Sequence, residues 1–307
     1  MNLLNRARPW IQAARPVAHP MIFIPLVMGQ AFAVHALGQF SILMFFYALL
    51  FGVLYQIYLL YTNDHADESV DRKNTQYWLS GGSRVLPEGK LQSHHLLQGA
   101  RWALVALTVL TGYLTLVADR PWICVGTLAA VVLCWAYNRE PLQWSYRGHG
   151  EVLQGLGCGV VLPLIGFYLQ QGSLQKFPLP ALPPLFLLFL AGNLITALPD
   201  YRSDKAGGKR TFPVRHGELM ARKTAVLLLA LAYAMVPFVI PASSWTAIAI
   251  VLIPAVTILG GLVGSGLLQK ADVTDFPACK AFVTWVSASQ AWLLCSWIAV
   301  LLIGAPR

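Results

Sequence analysis

An all-α, polytopic membrane fold with about nine transmembrane helices follows from three observations. Charged residues make up 11% of the 307-residue chain and hydrophobic ones 57%, against about 25% charged in an ordinary globular domain. Nine stretches approach the roughly 20 mostly apolar residues that cross a bilayer core: 18–37, 41–61, 102–118, 121–138, 152–170, 182–199, 224–240, 244–264 and 281–304. Of the 22 Lys and Arg, nineteen fall on one set of connections between these stretches. Only Arg120, Lys176 and Arg307 fall on the other. That asymmetry places the N-terminus in the cytoplasm and the C-terminus outside.

Along the chain, segment 1–17 is cytoplasmic and basic, carrying Arg6, Arg8 and Arg15. The Arg-then-apolar order up to "AFA" (31–33) has the look of a cleavable leader, but the run continues into a credible span and is read as retained. The first two spans are joined outside by a short turn at "HALG" (35–38), as are two later ones at "PASS" (241–244). Trp102, Trp122 and Trp245 fall at proposed span ends, where amphipathic rings prefer to sit. Spans 152–170 and 182–199 are less regular because of their Gly, Pro and Asn. The glycines of "QGLGCG" (154–159) and "GGLVGSG" (260–266) have the spacing of close helix packing. Two cytoplasmic connections, about 62–101 and 200–223, are much longer than the rest, and long connections tend to carry function. With no soluble domain, residues 1–307 make one membrane domain.

The net charge of +9 does not indicate nucleic acid, because it is spent on orientation at the lipid bilayer. Cys124, Cys134, Cys158, Cys279 and Cys295 lie in or beside spans without metal-ligand spacing, as small buried thiols do. Acids are not bound by the orientation rule, yet twelve of the thirteen share the cytoplasmic side, Asp119 being the exception.

Four of them crowd into "NDHADESVD" (63–71) at the end of the second span. If that helix continues through residue 71, Asn63, Asp67 and Asp71 lie within an arc of about 80°, with Asp64 about 20° from Asp71. A second cluster, "LPDYRSDKAGGKRT" (198–211), places Asp200 and Asp204 four apart at the end of the sixth span, with Asn193 seven before Asp200. Carboxylates this dense repel unless a cation holds them. Hard oxygen ligands without His or Cys point to Mg²⁺, with Mn²⁺ the alternative, rather than zinc. The adjoining Arg72, Lys73, Arg202, Lys205, Lys209 and Arg210 suit a polyanion such as a diphosphate.

These residues carry a resemblance. "NDHADESVD" matches the NDxxDxxxD signature of the UbiA-type intramembrane prenyltransferases, and "DYRSDKAGGKRT" resembles their second DxxxD motif followed by GKxT. "GGSRVLPEGKL" (81–91) looks like the basic segment after the first motif. "YNREPLQWSYRGHGEV" (137–152) is similar to the YTGGPxPLxYRGLGE segment of the MenA-like branch, which prenylates 1,4-dihydroxy-2-naphthoate, and "GKRTFPVRHG" (208–217) resembles its GKRTLAVRLG. The Lys-Arg pair of the hydroxybenzoate branch is absent. Arg139 and Glu140 replace the GG of the MenA-like pattern, and the fuller NDxxDxxxD replaces its usual NDYYDF.

The resemblance implies an enzyme that binds an isoprenyl diphosphate through Mg²⁺, ionises its allylic C–O bond, and lets an aromatic acceptor trap the cation. The product would be a menaquinone precursor. Carried onto this chain, Asn63, Asp67, Asp71, Asp200 and Asp204 would hold metal, with Asp64 beside them or at a second metal. Arg72, Lys73, Lys209 and Arg210 would contact diphosphate. Arg84 and Arg147 would serve an acceptor carboxylate or a lid, and Tyr137 the acceptor pocket. Glu151 and His65 are left between a role near the site and a plain structural one. Tail length and oligomeric state are not legible. Two other functions stay open: a terpene cyclase with the same metal site and no acceptor, and a cation-coupled transporter, whose acids would lie nearer the midplane.

Overall fold

The structure, a computed structural model, describes residues 3–74, 78, 81–240 and 245–306; the "PASS" turn and Arg307 lie outside them. Every regular element among these residues is helical. An N-terminal helix α1 (Leu3–Ala14) is followed by α2 (Pro20–Leu37), α3 (Ile42–Ala66), a single turn α4 (Glu68–Asp71), α5 (Ser93–Leu116), α6 (Ile123–Asn138) and a turn α7 (Trp144–Arg147). Next, α8 (Gly150–Leu156) and α9 (Leu162–Gln171) run through a π-helical turn as one span, Gly150–Gln171. Then come α10 (Leu182–Thr196), the short α11 (Tyr201–Gly207) and α12 (Phe212–His216), α13 (Glu218–Met235), α14 (Trp245–Gly264), α15 (Leu267–Lys270) and α16 (Phe276–Ile303).

Among the described residues, eight helices are long and apolar enough to cross a membrane, and α6, with 16 residues, is a shorter ninth. The protein is an integral, multi-pass membrane protein. Its outward surface fits that solvent: Leu116, Phe238 and Ile303 are each at least 84% exposed, which water would penalise and lipid does not. Trp122 and Trp245 sit at helix starts, as expected. Trp102 does not. Helix α5 begins at Ser93 and its polar first turns extend the helix beyond the apolar run, so Trp102 lies well inside it.

Helix ends follow local chemistry. Ser41 caps α3 by accepting from the Met44 N–H (3.3 Å), and Asp275 caps α16 by accepting from Ala278 N–H (3.1 Å), satisfying backbone donors that a helix start leaves open. The tightest pairing joins α2 to α9. A Cβ on Gly29 would meet the Phe167 nitrogen at 2.8 Å and strike the Pro163 carbonyl; one on Gly166 would strike the Leu26 carbonyl. Small residues admit this approach because lipid supplies no hydrophobic drive to bring helices together. Gly159 does likewise against Phe186 of α10 (2.6 Å), whereas of "GGLVGSG" only Gly261 meets another helix, at Trp285 (2.8 Å). Helices α3 with α5, α10 with α13 and α14 with α16 complete the pairs, and α2 packs on α16. Phe32 and Trp297 meet edge to face across that last seam, centroids 5.6 Å apart.

Gly166→Val should therefore cost more than ordinary overpacking, which is about 1–3 kcal/mol. Thermal unfolding in detergent should show a large drop in midpoint or loss of folded protein; an unchanged midpoint would refute the close α2–α9 contact.

Candidate active site

Both acidic segments arrive at one end of the bundle. Helix α3 does not run on through the first: it breaks at Asp67 (φ −92°, ψ 5°) and α4 resumes at once. The 71 N–H still reaches the Asp67 carbonyl at 2.8 Å, so Asn63, Asp67 and Asp71 remain successive steps of one near-helical path. The second motif begins where α10 gives way to α11, with Asp200 at its N-terminal end and Asp204 inside.

Between them lies a cavity of about 230 Å³. Asn63, Asp67, Asp71, Asp200 and Asp204 all line its mouth, together with Arg15, Lys209 and Glu151. Deeper, the wall turns apolar with Met21, Leu60, Leu133, Leu153 and Leu162, and with Tyr55 and Tyr137 among them. Asn193 lines it one level below Asp200, its amide donating to the Phe189 carbonyl (2.8 Å).

The motifs grip one another reciprocally. Lys209, after the second motif, donates to Asp67 Oδ2 of the first at 2.8 Å, and both side chains are more than 90% buried. Asn74, after the first motif, donates to Asp200 Oδ1 of the second at 2.9 Å. The Gly81 N–H adds a bond to Asp200 Oδ2 (3.1 Å). Gly81 and Gly82 both have positive φ, 86° and 74°, a region that favours glycine. A Cβ on Gly82 would drive into the Asp71 carboxylate, 2.6 Å from its Cγ. The "GG" of 81–82 thus lets the backbone close over both motifs.

Other candidates are placed elsewhere. Asp64 turns off the cavity, its carboxylate taken by Arg15 and Ser83. Arg72 is exposed and paired with Glu68 (2.9 Å), and Lys73 donates to the Ala206 carbonyl (3.0 Å). Arg84 pairs with Glu88 (3.1 Å) and lines a neighbouring chamber of about 500 Å³. Arg147 and Arg210 are exposed and do not line the cavity. His65 bonds Ser93 Oγ at 2.7 Å, away from the acids. Arg15, Asn74, Asn138, Gly81, Gly82 and Thr211 were not singled out from the sequence. Glu151 is buried on the cavity wall, and its Oε1 accepts the Phe212 N–H at 2.6 Å. The GGSRV, YNREP and GKRT segments of the resemblance contain Gly81, Gly82, Asn138 and Thr211 without marking them as site residues.

Five carboxylates against two cations line this cavity, and Arg15 is already engaged by Asp64. Burial, then the neighbouring Asp67 and Asp64, push the Asp71 carboxyl up to about 8. Burial, joined by Asp200 and Asp67 and opposed by Lys209, takes Asp204 to about 7. Burial pulls Lys209 down, but Asp67, Tyr137 and Asp204 outweigh it and hold its pKa well above the usual lysine value. Asp67 Oδ1 is buried with no hydrogen-bond partner, a cost of about 1–3 kcal/mol unless something binds it. Among the described residues no three His, Cys, Asp or Glu converge closely enough to hold a metal ion by themselves. The donor set fits Mg²⁺, which takes one or two carboxylates and completes its shell with waters and phosphate oxygens.

A carboxyl held above its ordinary pKa keeps a proton that the unfolded chain releases, so stability falls as pH rises. With divalent ions chelated, the unfolding midpoint should fall from about pH 4 towards pH 8, across the window set by Asp71 and Asp204. Asp71→Asn and Asp204→Asn should each flatten that slope. A slope unchanged in both variants would show that these carboxyls are not so perturbed.

Comparison with known proteins bears on this arrangement. The sequence model of the UbiA prenyltransferase family matches residues 22–282. The 1,4-dihydroxy-2-naphthoate octaprenyltransferase of Bacillus subtilis is 28% identical over 225 residues, 73% of this chain and 70% of that one. The enzyme of the same name from Mycobacterium leprae is 26% identical over 252 residues, 80% and 82% of the two chains. Among solved structures, a UbiA homolog from Archaeoglobus fulgidus bound to GPP and Mg²⁺ superposes with a TM-score of 0.71 at 19% identity, over 95% of this chain and 99% of that one.

Proposed function

The chain belongs to the UbiA prenyltransferase family, and from that premise we propose that it is a Mg²⁺-dependent enzyme transferring an isoprenyl chain from its diphosphate to 1,4-dihydroxy-2-naphthoate. One observation carries the reading: a single cavity has acids of both motifs at its mouth and an apolar interior. That layout suits a substrate with a polyanionic head and a hydrocarbon tail. The acceptor is supported by the shared name of the two relatives described above. We further propose that residues 1–307 form one membrane domain, with the motif end and the N-terminus cytoplasmic and the C-terminus outside, on the nineteen-to-three charge asymmetry.

Asn63, Asp67, Asp71, Asp200 and Asp204 would hold the metal, which when bound offsets the negative charge developing on the departing diphosphate. The chain's own groups do the rest. Lys209 is a buried, fixed cation held by Asp67 at the mouth, and it stabilises the leaving group without reorganising. Its ammonium also lies 5.5 Å over the Tyr146 ring, which fixes its position. As the allylic C–O bond breaks and its electron pair leaves with the diphosphate, Leu60, Leu133 and Leu153 keep water from the cation. Tyr137 and Glu151 line the same wall and would face the ring, whose carbon forms the new C–C bond and then loses its own substituent, as a proton or carbon dioxide, to regain aromaticity. The acids sit at helix ends beside the mouth rather than mid-span, unlike an ion path.

Purified protein given Mg²⁺, labelled farnesyl or geranylgeranyl diphosphate and a panel of aromatic acids should prenylate dihydroxynaphthoate in preference to 4-hydroxybenzoate. Asp67→Ala and Asp204→Ala should each lower turnover by at least about 10²-fold, the scale on which loss of one electrostatic contact acts, and EDTA should abolish it. A cyclised hydrocarbon formed without acceptor, or preference for hydroxybenzoate, would overturn the acceptor assignment.

Lys90 and Ala206 are exposed at the motif end. Lys90→Cys and Ala206→Cys should react only with thiol reagents that reach the cytoplasm. Labelling from outside at either would reverse the orientation.

A further inference from the structure

Asn138, the last residue of α6, is buried at 3% exposure and reaches the first motif from another helix. Its terminal groups can be assigned from chemistry alone. Its Nδ2 lies 3.1 Å from the Cys134 carbonyl oxygen, which can only accept, so the atom facing it must be the NH₂ group. The opposite atom of the amide is then the carbonyl oxygen. That oxygen is 3.2 Å from the Asn63 terminus, so Asn63 must present its own NH₂ there. The same Asn63 NH₂ also lies 2.9 Å from Asp67 Oδ2, a second acceptor. Two acceptors on one side fix the Asn63 flip, and Asn63 Oδ1 is left pointing away from both.

The relay then passes to the other motif. Asp67 Oδ2 accepts from Asn63 and from Lys209 Nζ at 2.8 Å. Both of its strong donors are on this one oxygen, and Oδ1 is the buried atom without a partner. A chain of hydrogen bonds from the α6 backbone through Asn138, Asn63 and Asp67 to Lys209 therefore sorts four oxygens. Asn138 Oδ1 and Asp67 Oδ2 are occupied inside it. Asn63 Oδ1 and Asp67 Oδ1 are left over, on two residues one helical turn apart that both line the cavity.

We propose that Asn138 is a positioning residue that fixes the Asn63 amide so that its carbonyl oxygen, beside Asp67 Oδ1, faces the cavity as a hard-oxygen pair for the divalent cation. The assignment rests on the metal-dependent reading above. Without Asn138 the Asn63 amide keeps one of its two restraints and turns more freely, so its oxygen is no longer preset.

Outer partners of metal ligands typically contribute 10–100-fold in metal affinity. The test measures binding rather than turnover: the Mg²⁺ concentration giving half-maximal thermal stabilisation of purified protein saturated with farnesyl thiodiphosphate, a non-ionising donor analogue. Asn138→Ala and Asn138→Ser should each raise it about tenfold. The serine hydroxyl can still bond the Cys134 carbonyl but is too short to reach Asn63, so Asn138→Ser should keep the metal-free midpoint near that of the parent. In an Asn63→Ala background, Asn138→Ser should add no further shift, because the relay acts only through Asn63. A Mg²⁺ requirement unchanged in Asn138→Ser, or a shift equally large in both backgrounds, overturns the relay while leaving the metal site standing. A parent protein that Mg²⁺ does not stabilise with the analogue overturns both.

Discussion

The ion pair between Lys209 and Asp67 is the interaction on which the site depends. It joins residues 142 positions apart in the chain and sits at the mouth of the cavity, between the end of α3 and the residue just past the end of α11. Removing one partner of a buried pair typically costs roughly 3–5 kcal/mol, because the other is left charged and unsolvated. Here the cost would not be local. Asn74 reaches in the reverse direction to Asp200 (2.9 Å), and the glycine turn at 81–82 lies over both acids. Each motif is thus held by a residue just beyond the end of the other.

That mutual grip explains why a membrane protein with so few charges tolerates this many acids in one place. An isolated carboxylate at this depth would protonate, and Asp71, pushed up to about 8, shows the tendency. What keeps the site polar is the one buried lysine and the donors of the closing loop, and what makes it useful is the imbalance they leave. A site with every acid paired would have no call on a divalent cation. Leu60 and Leu133 line the same cavity as the acids, so charge and hydrocarbon meet within one pocket. A substrate with both characters is matched at both ends by the same cavity.

Much of this was legible in the sequence, and the losses have physical causes. Continuous apolar runs gave the spans, because lipid demands length and composition before anything else. The start of α5 was hidden because Ser93 to Arg101 is polar and still helical. Spacing of four brought Asn63, Asp67 and Asp71 into line and paired Asp200 with Asp204. The same projection placed Asp64 beside them, but not its partners: its carboxylate is taken by Arg15 and Ser83, contacts that helical spacing does not carry. Arg72 and Lys73 neighbour the acids in sequence but turn to Glu68 and the Ala206 carbonyl; adjacency in a chain says nothing of direction. Asn74, Gly81, Asn138 and Arg15 depend on contacts across tens of residues or more, which no local pattern carries.

The central claim is that the two motifs form one metal-diphosphate site. Anomalous scattering from crystals of the protein with Mn²⁺ and farnesyl thiodiphosphate tests it most directly. The account predicts Mn²⁺ at the cavity mouth, between the Asp67–Asp71 side and the Asp200–Asp204 side, with the analogue's phosphates bridging them and its tail among Leu60, Leu133 and Leu162. Mn²⁺ bound by one motif alone, or at Asp64 and the exposed Arg72 loop with the cavity empty, would contradict it.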